Sequence, residues 1–523
     1  MSATAVPGVG RRKPYHERLC HGDDPVAAPG NGTERRKLRI RLPPHVDAAD
    51  LRRIKPIGCR VVPDGLGGTA DRFVMMAAEP VALGAFIWVP AAMQLMKKVQ
   101  PGNLSIPVAA HGHVDISDDN DNRSIGRSTG LERVLARQLL DALEQPPFSL
   151  ILWDGEEIQS TAARTVGRVF IRDRGAFYKV LMNADLHFGD LYSVARIDVD
   201  GSLIEFLEHA YRAVHASVRR SRFAKLRARL INRPRANTLA GSRRNIHHHY
   251  DLGNDFYRLW LDSAAMQYTC AYFPDPGMTL EQAQIAKMDH VCRKLQLKPR
   301  DRVVEAGCGW GGLALHMAKQ YGAQVRAYNI SHEQIAHARA RAKALDLDRQ
   351  VEFVEDDYRN IQGEYDAFVS VGMLEHVGLD HYAGLGDVVD RCLTANGRGL
   401  IHSIGRNRPE KMNAWVEKRI FPGAYPPTLR EMMDIFEPHE FSVLDVENLR
   451  LHYAKTLEHW LERFDRHATT IEQMYDKVFV RAWRLYLAGS IAAFTTSSLQ
   501  LFQVVFTRGT NNELAWSRAH LYR

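Results

Sequence analysis

Along roughly the first 128 residues, apolar and polar positions follow one another without a sustained period. Proline, glycine and charge runs surround one apolar patch, Val81 to Met93, which Pro90 interrupts. No element is predicted there, and residues 1–128 stand as an extension without an assigned role. From Leu131 the pattern changes. LERVLARQLLDAL has helical spacing, FSLILW and GRVFIR read as strands, and SLIEFLEHAYRAV reads as a second helix. This predicts a small α+β domain over 129–216. From His247 onward, apolar strands RVVEAG, QVRAYNI, VEFVEDD, YDAFVSVG and GRGLIHSIG alternate with helical stretches, and Leu499 to Phe506 reads as a last strand completing the sheet's edge. Such βαβ alternation predicts an α/β fold over 247–523: a doubly wound, mainly parallel sheet with its site at the carboxyl ends of the strands.

The stretch between the two, 217–246, carries a basic run: Arg219 to Arg244 holds ten Lys or Arg and no acid, with Phe223, Leu226 and Leu230 on one helical face. It reads either as a segment attracted to anionic lipid headgroups or as a solvated connector. A length of 523 residues exceeds one ordinary core, so several domains are expected. The net charge of +8 favours acidic partners without choosing among them. No nucleic-acid module accompanies the charge, and no nucleic-acid partner is expected. The six cysteines are scattered, as in a reducing cytoplasm. The opening residues lack a signal-peptide core, and Val81 to Met93 is too short to span a bilayer, so a membrane substrate would have to be met peripherally. The acidic stretch Asp115 to Asn122 lacks the glycine and terminal glutamate of a calcium loop.

Chemistry first shows at Arg302 to Ala306, a strand running into Gly307-Cys308-Gly309-Trp310-Gly311-Gly312 and then a helix. Glycines let a ligand approach the backbone closely, although a lone G-x-G also occurs as a structural turn. Glu305 ends the strand where a carboxylate can accept hydrogen bonds from a cationic cofactor. A hydride-transfer fingerprint would place an acid at the end of the second strand, where Asn329 stands instead. Asp356, Asp357 and Tyr358 follow the third strand, within reach of an adenine or merely in a solvated loop. Together these features favour a methyltransferase over a dehydrogenase. His247 to His249 are consecutive and cannot easily converge on one ion, so no metal site is expected.

Seven ordered segments, HYDLGNDFYRLWLD, MQYTCAYF, EAGCGWGGLA, ISHEQ, VSVGMLEHVG, LIHSIG and LQLFQVVFTRG, resemble those of the cyclopropane fatty acid synthase and mycolic acid cyclopropane synthase family. The resemblance is close over 247–523 and looser over 129–216. It implies a class I methyltransferase with a seven-stranded sheet, S-adenosylmethionine as cofactor, and transfer of a methylene unit to a cis double bond of an unsaturated phospholipid acyl chain. A bound bicarbonate would take the proton that is lost as the ring closes. On matching positions, Glu375 and His402 would hold this anion, Cys270 and Ile404 would contact it, and Tyr453 would close the site. The cofactor would meet Tyr250, Tyr268, Thr269, Glu305, Gly307, Gly309, Trp310, Gly311, Asn329, Gln334, Asp357 and Tyr358. Read without the resemblance, Glu375 is a helix-start acid and His402 a strand-end core histidine. Cys270 is read as a packing residue, since the cofactor already contains the leaving group, and Ser490 stands where many relatives have cysteine. The implied protein is cytoplasmic, peripherally attached to the inner face of the membrane, and a possible homodimer. The alternatives are a lipid C-methyltransferase giving a methyl- or methylene-branched chain, a small-molecule methyltransferase, and a noncatalytic lipid-binding relative.

Overall fold

The computed structural model describes residues 126–162, 165–220 and 252–522, together with the backbone of three short strands nearer the N-terminus. Those strands, β1 (Leu38–Arg41), β2 (Arg60–Pro63) and β3 (Arg72–Met76), pair antiparallel in the order β1-β3-β2. They belong to a unit spanning Met1–Asp119, separate from the compact unit Asn120–Arg523. The sequence reading predicts no element there. Tyr250, His247 to His249 and nearly all of the basic stretch lie outside the described residues.

Within the second unit, a four-stranded sheet forms from β4 (Phe148–Ile151), β5 (Glu157–Ile158), β6 (Gly167–Ile171) and β7 (Ile197–Asp200), in the order β5-β4-β6-β7. Four helices accompany it: α1 (Gly130–Ala142), α2 (Arg174–Met182), α3 (Ala184–Ser193) and α4 (Leu203–Arg220). Thr129 and Glu132 form a capping box at the start of α1, and the buried Glu132 also accepts from Arg174 Nε at 2.7 Å. Phe148, Leu150, Val169, Ile171 and Phe177 fill the core beneath. The sequence reading missed α2, α3 and β7. The two helices abut at Asn183, which ends one and caps the next, so no helical period is sustained across them.

The larger sheet holds β8 (Arg302–Ala306), β9 (Gln324–Asn329), β10 (Val351–Glu355), β11 (Tyr365–Val371), β12 (Leu393–Gly405), β13 (Phe441–Asn448) and β14 (Gln500–Arg508). Their order is β10-β9-β8-β11-β12-β14-β13, and β14 runs antiparallel to both its neighbours. The predicted edge is therefore corrected: the run Leu499 to Phe506 lies inside the sheet, and β13 forms the edge. The physical reason is burial, because β14 is covered at every position from Gln500 to Thr507, whereas β13 exposes Ser442, Val443, Val446 and Asn448. The chief helices of this part are α5 (Leu280–Leu295), α6 (Gly312–Tyr321), α7 (His332–Ala344), α8 (Tyr382–Cys392), α9 (Ala414–Arg419), α10 (Arg450–Arg466) and α11 (Lys477–Thr495).

Polar contacts seat α3 and α4 on the larger sheet's helices. Asp185 Oδ2 accepts from the Ala414 N–H at 2.8 Å, at the start of α9, and Arg419 grips Asp190 through Nε and Nη2 at 2.9 and 3.1 Å. Arg481 Nε donates to the Tyr192 carbonyl at 2.8 Å, and Thr495 Oγ1 donates to Glu208 Oε1 at 2.6 Å. Gly189 permits the close approach, since a Cβ there would run into the Trp415 ring. Gly189→Val is accordingly expected to destabilise the protein by about 1–3 kcal/mol. Thermal unfolding measures this directly, and an unchanged midpoint would show that the seam yields without strain.

Candidate active site

A cavity of about 470 Å3 opens between α3 and α4 on one side and the carboxyl ends of β11 and β12 on the other. Phe188, Leu207 and Val214 come from the small-sheet side; Leu457, Leu485 and Phe494 face them from α10 and α11. All five expected catalytic residues, Glu375, His402, Tyr453, Cys270 and Ile404, line this one cavity, as do Tyr268, Thr269 and Ser490.

Glu375 follows β11 on a short 3-10 turn and is buried. Its Oε1 accepts from the Ile404 N–H at 2.6 Å, while its Oε2 is buried without a partner. With no cation beside it, burial pushes its carboxyl up to about 7. His402, on β12, is fixed from behind: the Gln503 amide donates to Nδ1 at 3.0 Å, so Nε2 carries the hydrogen, and this Nε2 is likewise buried and unpartnered. Burial, helped by the charges of Lys287 and Lys294, holds the imidazole down to about 3 and therefore neutral. Cys270 donates its S–H to the Ala271 carbonyl at 3.1 Å, and burial pushes its thiol well up, away from the thiolate form that a nucleophile needs. Tyr453 leans on Phe494 with ring centroids 4.7 Å apart and meets Trp460 edge-on at 5.9 Å. A protonated Glu375 and the His402 Nε2–H can both donate to a small anion, and the two buried orphan atoms fit bicarbonate.

Apart from Tyr250, which lies outside the described residues, the expected cofactor residues beyond the cavity gather at the carboxyl ends of β8, β9 and β10. Gly307, Gly309 and Gly311 all have positive φ, at 84°, 53° and 77°. Only at Gly309 would a Cβ meet open space; at Gly311 it would strike the Phe353 ring at 2.5 Å. Glu305 is buried with Oε2 unpartnered, and burial pushes its carboxyl up to about 7. An open backbone beside an orphaned carboxylate fits a cofactor carrying an ammonium group. Asn329 Nδ2 donates to Gln334 Oε1 at 2.7 Å and to the Gly309 carbonyl at 3.3 Å, which steadies the turn. Asp357 is turned inward, since its carboxylate accepts from both the Arg359 N–H at 3.0 Å and the Arg359 guanidinium, and Tyr358 is buried beside it. Trp310 also faces inward: its Nε1 donates to Asn254 at 2.7 Å and its ring packs on Tyr257 at 5.0 Å.

The sequence reading did not single out several residues of this region. His376, Arg406, Phe421 and Tyr486 line the cavity, and the Tyr486 hydroxyl lies 3.0 Å from that of Tyr268. His376 directly follows Glu375 in VSVGMLEHVG, which is the one signal that pointed toward it. Lys287 lies buried behind Thr269, where no motif marks it.

Comparison with known proteins follows this geometry. The family described as mycolic acid cyclopropane synthetase matches residues 238–504, just over half of the chain, and a domain of unknown function matches residues 135–222. The chain is 42% identical over 271 residues to the cyclopropane-fatty-acyl-phospholipid synthase of Escherichia coli strain K12, covering 52% of this chain and 69% of that protein. It is 38% identical over 289 residues to a probable fatty acid methyltransferase of Pseudomonas putida, covering 53% of this chain and 73% of the relative. The fold is shared with coclaurine N-methyltransferase, at a TM-score of 0.52 and 18% identity, over 61% of this chain and 99% of that one. Among the described residues no helix is long and apolar enough to cross a membrane. By its family match and by these relatives, the chain belongs to the mycolic acid cyclopropane synthetase family of S-adenosylmethionine-dependent methyltransferases.

Proposed function

We propose that the chain adds a methylene unit to a cis double bond of an unsaturated phospholipid acyl chain, forming a cyclopropane ring, with the proton passing to a bound bicarbonate. The observation carrying this reading is the pair of buried, unpartnered atoms, Glu375 Oε2 and His402 Nε2, in the wall of a largely apolar cavity. An ordinary methyl transfer to nitrogen or oxygen needs no such pair. S-adenosylmethionine supplies the electrophilic methyl group when bound, held by Glu305 and the open face at Gly309. Bicarbonate supplies the base when bound, held between Glu375 and His402.

The remaining work falls to the chain itself. Phe188, Leu207, Leu485 and Phe494 exclude water from the acyl segment. As the alkene takes up the methyl group, positive charge develops on the acyl chain, and the aromatic faces of Tyr453 and Phe494 are suited to stabilise it. Loss of one proton from the transferred methyl group then closes the ring. Glu375 and His402 share that proton with the anion they hold, so the base strength belongs to the cluster. In this reading 129–216 is the lipid-side domain, 217–246 a basic linker and 247–523 the catalytic domain. The protein meets lipid at the inner membrane face as a peripheral enzyme, and residues 1–128 are accessory.

The similarity to a relative named a probable fatty acid methyltransferase favours a second product, a methyl- or methylene-branched chain, from the same pocket. Mass spectrometry of unsaturated phospholipid vesicles incubated with protein and S-adenosylmethionine separates the two. A gain of one CH2 unit that resists hydrogenation is expected. A gain that restores a reducible double bond or a branch would replace the ring with the second product, and no gain would remove the lipid reading.

A further inference from the structure

Helix α5 turns an unusual row inward: Gln284, Lys287 and His290 are each 0% exposed. Lys287 makes no ion pair among the described residues. Its Nζ donates instead to two neutral acceptors, the Gln267 side-chain oxygen and, at 3.1 Å, Thr269 Oγ1. Gln284, one turn earlier on the same face, donates to the Thr269 carbonyl at 2.8 Å. Burial pulls Lys287 down to about 8, and Asp262, too far for an ion pair, is the strongest of the charges that oppose this, ahead of Cys270 and Glu305; methionine would fill the same space without the cost of burying the ammonium.

The strap that Lys287 holds runs from the end of the glycine turn to the cavity wall. Tyr268, Thr269 and Cys270 line the cavity. The Gln267 amide lies where a Cβ on Gly312, just past the glycine turn, would be 2.5 Å away, and the Thr269 methyl lies 2.9 Å from the corresponding position on Gly372. Gly372 in turn donates its N–H to the His402 carbonyl at 2.9 Å. An ammonium can only donate, so Thr269 Oγ1 accepts from Lys287 and must direct its own hydrogen elsewhere, with the cavity that it lines on its open side. Charge-assisted bonding also strengthens the donor at the far end of such a chain. The ammonium field reaches Glu305, Cys270 and His402 as well.

We propose that Lys287 is a positioning residue for methyl transfer: it aims the Thr269 hydroxyl into the site and supplies the fixed positive charge that faces Glu305 and attracts an anion to Glu375 and His402. This rests on the function proposed above. The test measures thermal unfolding, S-adenosylmethionine affinity and lipid turnover for Lys287→Met, Lys287→Ala, Thr269→Val and Thr269→Ser. Lys287→Met is expected to unfold no earlier than wild type and to lose about 100-fold in turnover, more than it loses in cofactor affinity. Ethylammonium added to Lys287→Ala is expected to restore part of the rate saturably. Thr269→Ser, which keeps the hydroxyl, should retain more turnover than Thr269→Val, which falls about 10-fold or more. Should the Lys287 variants fail to fold, the threonine pair decides, and wild-type turnover in Thr269→Val overturns the proposal. Wild-type turnover in a folded Lys287→Met overturns it too. A wild-type protein that turns over no lipid would defeat the proposed function instead.

Discussion

Glu375→Gln is expected to lower lipid turnover by about 10³–10⁴-fold while leaving the fold intact. Glutamine keeps the side-chain oxygen that accepts from the Ile404 N–H and keeps the volume, but it cannot exchange a proton with a bound anion. The same substitution has a signature in pH. The Glu375 carboxyl is pushed up to about 7 in the folded protein from an ordinary 4.5. Between those values the folded state holds a proton that the unfolded chain has released, so stability falls as pH rises through the window and levels off above it. Glu305, also pushed up to about 7 by burial, contributes in the same direction. Glu375→Gln should therefore remove one declining contribution, leaving that of Glu305 and the rising contributions of His376 and His402, which burial holds down to about 4 and about 3. Denaturant unfolding of both proteins from pH 4.5 to 8 checks this, and identical slopes would mean that Glu375 is ionised and paired.

The second large effect is expected at Gly309. Asparagine tolerates a left-handed backbone, and a Cβ there meets nothing within 4 Å, so Gly309→Asn should fold with a loss of only about 1 kcal/mol. On the proposed reading this is the space that the cofactor takes, and S-adenosylmethionine affinity should fall by about 100-fold or more. Gly311 provides the contrast. Its missing side chain makes room for Phe353, so Gly311→Asn should lose stability first and binding only as a consequence. Calorimetric titration and thermal unfolding of the two variants separate the roles, and equal affinity in Gly309→Asn would move the cofactor off this turn.

Much of the larger fold was legible because buried parallel strands are continuous apolar runs bounded by glycine, as in YDAFVSVG. The same rule misplaced the sheet's edge. The run around LFQVVF is apolar because it is interior, while the true edge strand, FSVLDVEN, mixes acids with valines and carries no such run. Five residues expected around the anion do share one cavity wall, although they come from distant segments, and that gathering was legible only through family resemblance. Asp357 and Trp310 show the limit of motif reading. Each stands in the expected stretch, yet one carboxylate is bound by Arg359 and one indole by Asn254. Lys287 was legible only in hindsight, as a charge lying on the apolar stripe that Ala283 and Val291 define one turn to either side.

The cavity that α3 and α4 help to enclose has a consequence for the identity of the product. Because one side is built on the small sheet and the other on the large one, how well it can exclude water depends on a joint, held by the Asp190–Arg419 pair and the close fit of Gly189 against Trp415. On the proposed chemistry, a carbocation in a sealed slot is left with proton loss or a hydride shift, whereas one in a leaking slot can also be captured by water to give an alcohol. The ratio of ring to alcohol in the lipid would then act as a chemical gauge of how tightly the joint closes.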